Sequence, residues 1–247
     1  MNPDKIPAII IYEDNHIIVA DKPAGILSQG DISGETSLLD MLKNYVKLKY
    51  SKPGEAFIGL VHRLDKHVSG LMVFARTSKA ASRLHDEITS GKMEKYYIAL
   101  AEKEIVPDQD WHMIENYLYR EKDKTFIAAK EGKNTQRGVL YYTAIASGRG
   151  KSLLLVKLET GRKHQIRAQL TGMGAPVYGD ARYGSSASTG KAICLHSVFL
   201  GFVHPVKKTP VEFFSPPPEL FRQSADFIPG DLQAELMERI RQFRIRP

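Results

Sequence analysis

Short apolar runs divided by polar turns dominate this chain and predict a sheet-rich fold. The runs Ala8–Tyr12 and His16–Ala20 flank Glu13-Asp14-Asn15, whose residue types favour a turn, so a β-hairpin is expected there. Further strands are predicted at Gly70–Ala75 and Tyr96–Ala101, where apolar residues follow one another without a break. The first hundred residues therefore already supply four predicted strands.

Strand-like runs continue through the second half of the chain. Three of them lie between Tyr117 and Ala146, Ser147–Gly150 forms a hairpin turn into Ser152–Leu158, and residues 192–214 predict two or three more. Because short turns join consecutive runs, antiparallel pairing is favoured over parallel βαβ winding.

Helical periodicity is limited to a few stretches between the strands. The apolar residues of Leu38–Val46 share one helix face, and Thr36 or Ser37 can cap that helix. Ser78 is the predicted N-cap of a second helix, which runs through Ile88. An amphipathic helix is also expected near the C-terminus, after the Pro216-Pro217-Pro218 run.

One domain is the expected organisation. The chain has no internal repeat and no long low-complexity linker, and 247 residues can bury a full core. We therefore expect a single α+β domain over residues 1–247, with a mixed, mostly antiparallel sheet and flanking helices. Its core should cover about residues 10–218 and its C-terminal helix about residues 231–243.

Composition narrows the location and the chemistry. No apolar run approaches the roughly 20 residues that span a bilayer, and Ala8–Ile11 is too short for a secretory signal, so a cytoplasmic protein without membrane contact is expected. Cys194 is the only cysteine, which excludes an intrachain disulfide and a cysteine-rich zinc or iron–sulfur site. The formal net charge of +7 favours a polyanionic partner such as nucleic acid.

The segment Val61–Gly70 places a lone carboxylate among cations. Asp65 lies between Arg63 and Lys66, just before an apolar run. A carboxylate held in such a place can be a catalytic group. The alternative is an exposed ion pair, which is common and contributes little to stability.

A second segment, Leu158–Leu170, runs from a strand end through Thr160-Gly161 into a predicted amphipathic helix. Arg162, Lys163 and His164 cluster at the helix N-terminus, where the macrodipole already favours anions over cations. A phosphate or a carboxylate nearby would relieve this repulsion. Alternatively the cations point to water, and His164 and Arg167 share one solvated face.

Tyr96 and Tyr97 occupy successive positions of one predicted strand, so their rings are expected on opposite faces. One ring would then lie in the core and the other would face a cleft. An aromatic ring in a basic cleft can stack on an unpaired RNA base, although a core role for both is the alternative.

Several motifs in a fixed order give the chain a family resemblance. They are His62-Arg63-Leu64-Asp65 with Ser69-Gly70; Lys95 and Tyr97; Thr160-Gly161-Arg162-Lys163-His164-Gln165-Ile166-Arg167; Tyr178-Gly179-Asp180 with Tyr183-Gly184; Leu195-His196-Ser197; and His204-Pro205. In this order they resemble the motifs of the RluA-type pseudouridine synthases over about residues 10–218. The resemblance implies the pseudouridine synthase fold and RNA, ribosomal or transfer, as the partner.

The resemblance also implies roles for particular residues. Asp65 matches the family's essential aspartate, Tyr97 the tyrosine that packs against the target base, and Arg167 the arginine that pairs with the aspartate. Arg63 matches a position that reaches into RNA near the vacated base. The other residues expected to contact RNA are His62, Lys95, Arg162, Lys163 and His164. No metal and no cofactor are expected, and we expect a monomer.

The chain departs from the family pattern in three ways. Val68 stands where a threonine usually precedes Ser-Gly, so a hydroxyl that would brace the catalytic loop is missing. Ser28-Gln29-Gly30-Asp31 replaces the usual ending of the Lys-Pro-Ala-Gly turn. No S4-type RNA-binding domain is expected, so specificity should come from the domain's own loops. Altered loop packing and altered substrate choice are the expected consequences.

The implied reaction explains why one carboxylate suffices. Conversion of uridine to pseudouridine breaks the N-glycosidic bond and joins C5 of the same base to C1′, without redox change or added water. A carboxylate can stabilise, attack or deprotonate the sugar as positive charge develops on it. Two other functions stay open: an inactive RNA-binding or folding factor, and a nucleoside glycosidase that would release free uracil.

Overall fold

Eleven strands and five helices make up the described part of this computed structural model, residues 6–245. The strands are β1 (Ile10–Glu13), β2 (Ile17–Lys22), β3 (Gly59–Leu60), β4 (Ser69–Ala75), β5 (Glu94–Ala101), β6 (His112–Glu121), β7 (Lys124–Ala128), β8 (Gln136–Gly148), β9 (Lys151–Leu158), β10 (Leu195–Val203) and β11 (Pro210–Phe214). The helices are α1 (Leu38–Lys49), α2 (Ser78–Thr89), α3 (Gln165–Gly172), α4 (Leu220–Ser224) and α5 (Leu232–Arg244). Among these helices, none combines the length and the apolar character needed to cross a membrane.

These elements belong to two compact units. Of the described residues, 6–95 and 197–215 form the first unit, and 96–196 and 216–245 form the second. The strands pair in a mixed, mostly antiparallel arrangement with flanking helices, which confirms the predicted fold class. A single domain over residues 1–247 stays a prediction.

The first unit is a sheet with α2 packed on one face. β1 and β2 form the predicted hairpin, β2 pairs with β4, β4 neighbours β10, and β11 pairs with β10. All seven residues of β4 are buried, as the uninterrupted apolar run predicted. One core cluster joins these strands to α2: Ile17, Val19, Leu71, Val73, Ala75, Ala80, Leu84, Met93, Leu200 and Phe202.

The two helices of the first unit begin at different kinds of cap. Ser37 caps α1 with a capping box, since its hydroxyl accepts from Asp40 N and the Asp40 carboxylate accepts from Ser37 N. For α2 the predicted cap was wrong by one residue. Thr77, in an extended conformation, accepts from Ala80 N at 3.1 Å, and Ser78 is already the first helical residue.

Gly70 is required where β4 passes close to Ser197 of β10. Its φ is +114°, a conformation that residues with a side chain rarely adopt. A Cβ atom at Gly70 would also overlap the backbone N and O atoms of Ser197. The Ser69-Gly70 pair in the sequence therefore has a packing reason that is independent of any catalytic role.

A partly buried hydrogen-bond cluster closes the turn between β1 and β2. Asp14 accepts from His16 N and Ile17 N, and its other oxygen lies 2.9 Å from both Tyr12 Oη and His204 Nε2. His204 is fully buried. Burial alone would raise the pKa of Asp14, but the hydrogen bonds that it accepts outweigh burial and hold the pKa well below its ordinary value.

Because of this cluster, we expect the contribution of Asp14 to the free energy of unfolding to depend on pH. Because the folded-state pKa of Asp14 is depressed, its contribution should be complete above about pH 4 and should be lost as pH falls toward the folded-state pKa. We expect the difference in unfolding free energy between the wild type and Asp14→Asn to be largest near neutral pH and to shrink in acid. Urea unfolding at several pH values measures it, and parallel pH profiles for the two proteins would contradict this assignment.

The second unit is built on the strand order β5-β9-β8-β6-β7, in which every neighbouring pair is antiparallel. β8 and β9 form the predicted hairpin, and Arg149 and Gly150 both have positive φ, as a type I′ turn requires. At the C-terminus, Asp231 caps α5, and Phe243 of α5 packs on Trp111 with ring centroids 4.7 Å apart. The predicted C-terminal helix is thus confirmed to within one residue at each end.

Helix α3 differs from its predicted amphipathic character. Six of its eight residues, from Gln165 to Leu170, are buried. Gln169 supplies one reason, since its Nε2 donates to Asn116 Oδ1 and to the carbonyl oxygen of Gly138. Gln165 likewise donates from Nε2 to Val139 O of β8, so the amide N–H groups of these two side chains are satisfied by neighbouring strands rather than by water.

Candidate active site

Asp65 lies in a loop between β3 and β4. Hydrogen bonds within the loop and from another segment of the chain hold the backbone of this loop. Val68 N donates to Asp65 O at 3.1 Å and closes a turn. The carbonyl oxygen of the next residue, Lys66, accepts from Gly25 N at 2.6 Å. Asp65 itself is partly buried, whereas Val68 is buried. The main chain on the C-terminal side of Asp65 is therefore fixed.

Lys22 is a buried cation beneath this loop, and sequence reasoning had not assigned it a role. Its Nζ donates to the carbonyl oxygens of Pro23, Ile26 and Lys66 at 3.0, 2.9 and 3.3 Å. Three acceptors need three N–H donors, which only the ammonium form provides. Burial lowers the pKa of Lys22 to about 7, although the charges of Asp65 and Asp21 oppose this shift.

His62 anchors the start of the loop as a neutral imidazole. β3 leaves the ladder after Leu60, and two residues later His62 Nε2 accepts from Val73 N at 3.0 Å. An acceptor nitrogen carries no proton, so this hydrogen bond requires the uncharged ring. Burial, together with the positive charge of Lys95, lowers the pKa of His62 to about 3. The ring therefore stays neutral at physiological pH.

Arg63 and Lys95, two cations of the first unit that were expected to contact RNA, differ in exposure. Arg63 is exposed, which suits a side chain that contacts a polyanion. Lys95 is partly buried, and burial lowers its pKa. The first unit thus contains two sets of interacting charges, Asp65 with the Lys22 ammonium and the His62 ring with Lys95.

In the second unit Arg167 forms a buried ion pair that the sequence did not predict. Its Nε and Nη2 atoms donate to the two carboxylate oxygens of Asp180 at 2.6 and 2.8 Å. The side chains of Arg167 and Asp180 are only 4% and 2% exposed. The guanidinium also lies 4.7 Å from the ring centroid of Tyr183. This planar, bidentate contact fixes the orientation of Arg167.

His164 is held inside the same unit. Its Nδ1 lies 2.9 Å from Tyr183 Oη, and that oxygen accepts from Thr125 N at 2.8 Å. Because the Tyr183 hydroxyl accepts from Thr125, its own proton is available for His164 Nδ1. His164 is 8% exposed, so its side chain offers little surface for the expected contact with RNA. Its position instead supports the start of α3.

Gln165 organises the cationic helix start. Its Oε1 accepts from Arg162 N at 3.0 Å and from the Thr160 hydroxyl at 2.8 Å, and its Nε2 donates to Val139 O. The alternative that His164 and Arg167 share a solvated face is wrong, since both are buried.

Two cations of the helix start keep contact with solvent. Arg162 is exposed and donates from Nε to Arg137 O at 3.1 Å. Lys163 is partly buried. Of the residues expected at this helix start, these two retain side-chain surface that can face phosphate groups.

Tyr96 and Tyr97 lie on β5 as predicted, but both are buried. Tyr96 is fully buried and Tyr97 is 6% exposed. In the register of β5 with β9, they stand opposite Lys157 and Val156. The expected contrast between a core ring and a cleft-facing ring is therefore absent, and the contact of Tyr97 with a base stays a prediction.

Comparisons with known proteins converge on one chemistry. A family model described as RNA pseudouridylate synthase matches residues 16–171. An RNA pseudouridine synthase of Aquifex aeolicus (strain VF5) is 36% identical over 239 residues, which cover 90% of this chain and 73% of that protein. The ribosomal large subunit pseudouridine synthase D of Zymomonas mobilis is 30% identical over 88% of this chain and 71% of its own length.

A solved structure agrees in fold. Human RNA pseudouridylate synthase domain containing 4 aligns with a TM-score of 0.73 and 21% identity, over 97% of this chain and 95% of that one. At this identity the likeness supports the fold, and the sequence relatives support the family.

Proposed function

We propose that this chain, which belongs to the RNA pseudouridylate synthase family, isomerises specific uridines of ribosomal or transfer RNA with Asp65 as its catalytic carboxylate. That the protein is an RNA pseudouridine synthase follows from the family itself. The observation that carries the finer proposal is that Asp65, Tyr97 and Arg167 all fall within the matched residues 16–171. The name of the Zymomonas mobilis relative favours ribosomal RNA over transfer RNA.

The proposed reaction needs a carboxylate but no second acid or base for water. The bond between N1 of uracil and C1′ of ribose breaks, the base turns, and a bond forms between C5 and C1′. The proton on C5 leaves and N1 gains one, so the atoms of the nucleotide are conserved. Asp65 would act on the sugar while positive charge develops there, by stabilising it, by attacking it or by removing a sugar proton.

For this role the Asp65 carboxylate must be ionised and held in place. The charge of Asp65 acts on Lys22, which places a buried ammonium near the carboxylate, and the hydrogen bonds to Lys66 O fix the loop backbone next to Asp65. A guanidinium has five N–H groups, so Arg167 can serve Asp180 and a second carboxylate together. The proposal gives this second role to Asp65, as the family resemblance implies.

RNA would reach the carboxylate as a flipped nucleotide. A stacked uridine cannot present its glycosidic bond to a protein side chain, so unstacking must be compensated by phosphate contacts and by stacking. Arg63, Arg162 and Lys163 are the proposed phosphate contacts because their side chains retain exposed surface. Tyr97 is the proposed stacking partner. We assign His62 and His164 to positioning, since their ring nitrogens already serve the protein.

Tritium release tests the proposed function. RNA labelled with tritium at C5 of uracil, from cells that lack this protein, should release tritium to water on incubation with the wild type, because C5 loses its hydrogen as it joins C1′. The heated protein is the control. Failure of the wild type to release tritium from total RNA would refute the proposal, and free uracil among the products would indicate a glycosidase instead.

A further inference from the structure

Ser28 makes an unusual double contact with the residue before Asp65. Its hydroxyl donates to Leu64 O at 2.6 Å, and the same oxygen accepts from Leu64 N at 3.1 Å. Ser28 and Leu64 are 4% and 6% exposed, so water has little access to these backbone groups. A single hydroxyl can satisfy both groups because it has one donor and two acceptor positions.

We propose that Ser28 is a positioning residue for Asp65, and this inference rests on the proposed catalytic role of Asp65. Asp65 follows Leu64 directly in the chain, so fixing the N–H and the C=O of Leu64 fixes the peptide unit that leads into Asp65. The Gly25 and Lys22 contacts to Lys66 O hold the other side of Asp65. The contacts of Ser28 with Leu64, and of Gly25 and Lys22 with Lys66, therefore hold the chain on both sides of Asp65, and we call them the brace.

The brace is connected to a rigid element. Leu39 N donates to Ser28 O at 3.2 Å, and Leu38 N donates to Leu27 O at 2.8 Å. Both donors are in the first turn of α1, whose N-cap Ser37 is fully buried. The position of Ser28 is thus set by a capped helix rather than by a mobile loop.

A second contact joins the segment between Ser28 and α1 to the Asp65 loop. Glu35 accepts from Lys66 Nζ with both carboxylate oxygens, at 2.6 and 2.8 Å. This pair is partly exposed, so its contribution should be small. The buried hydroxyl of Ser28 is therefore the contact with the larger expected effect.

Two departures of this chain from the family pattern, Val68 and the segment Ser28–Asp31, lie at the Asp65 loop. Val68 lacks the hydroxyl that the pattern would place on the C-terminal side of the loop, and its side chain is buried. Ser28 belongs to the unusual segment Ser28–Asp31 and supplies a hydroxyl from another direction. The two departures therefore both lie at the Asp65 loop, although they are 40 residues apart in the sequence.

The experiment compares Ser28→Ala, Ser28→Thr and a control, Ser90→Ala. Ser90 is exposed and its hydroxyl contacts only the end of α2, at Asp86 O and Glu87 O. We expect Ser28→Ala to lower kcat for tritium release by about 10- to 100-fold with little change in KM, because a displaced carboxylate impairs the chemical step more than RNA binding. Ser28→Thr should restore most of the rate, and Ser90→Ala should match the wild type.

Amide hydrogen exchange at Leu64 provides a second readout that does not depend on activity. In the wild type this amide should exchange slowly, and in Ser28→Ala it should exchange faster, while the amides of α2 should not change. A Ser28→Ala enzyme with wild-type kcat would overturn the proposal, as would a Leu64 amide that exchanges freely in the wild type. If the wild type releases no tritium at all, the proposed function fails, and the exchange of Leu64 still decides whether Ser28 braces the loop.

Discussion

Replacing Asp65 by Asn is expected to lower the rate of tritium release by a factor on the order of 10⁴, because loss of one central catalytic group commonly has an effect of this size. The amide introduced by Asp65→Asn keeps the shape of the side chain but carries no negative charge, so it cannot stabilise, attack or deprotonate the sugar. Binding of RNA should change little, since the phosphate contacts proposed for Arg63, Arg162 and Lys163 are untouched. Single-turnover kinetics and a binding titration at fixed salt separate the two effects.

The control for this prediction is Asp86→Asn. Asp86 is exposed on α2, and the substitution removes the same charge from the protein without touching the Asp65 loop. It should therefore keep wild-type rates. Substantial tritium release by Asp65→Asn would show that another group performs the chemistry and would remove Asp65 from the proposed mechanism.

The second large effect is expected for stability. Asp180→Ala leaves the buried guanidinium of Arg167 without the carboxylate that holds two of its N–H groups, and breaking a buried ion pair in this way typically costs about 3–5 kcal/mol. Asp180→Asn retains one acceptor and should lose less. Equilibrium urea unfolding measures the loss as a lower midpoint.

An exposed pair in the same unit provides the comparison. Glu115 and Arg137 form an equally close bidentate contact, at 2.9 and 2.7 Å, but both side chains are substantially exposed. Glu115→Ala should therefore destabilise the protein far less than Asp180→Ala. If the two alanine variants unfold at the same urea concentration, burial does not make the Arg167–Asp180 pair more important for stability than the exposed Glu115–Arg137 pair.

Much of the fold could be predicted because its signals are local. Four features depend on residues that are close together in the sequence. They are the hairpins at Glu13-Asp14-Asn15 and at Ser147–Gly150, the Ser37 cap and the C-terminal helix. Local patterns were less informative about α3. Its polar residues suggest a solvated face, but in the folded protein Gln165 and Gln169 contact strand residues that lie 26 to 53 positions earlier in the sequence.

The supporting residues of the candidate site were harder to predict than the site residues themselves. Asp180 belongs to the motif Tyr178-Gly179-Asp180, but nothing local in the sequence indicates that its partner is Arg167, 13 residues earlier. Lys22 and Ser28 donate hydrogen bonds to the backbone carbonyl oxygens of Lys66 and Leu64. Every residue has such an oxygen, so the sequence does not indicate which one accepts a hydrogen bond. Such contacts become visible only when the tertiary structure places the two segments side by side.

The role of Asp65 is tested most directly by a map of pseudouridines in total RNA from wild-type cells, from cells that lack the protein, and from such cells supplied with either the wild type or Asp65→Asn. We expect one or more pseudouridines to disappear in the deletion strain and to return with the wild type but not with Asp65→Asn. A map that is identical in all four strains would contradict this expectation, and so would equal restoration by Asp65→Asn.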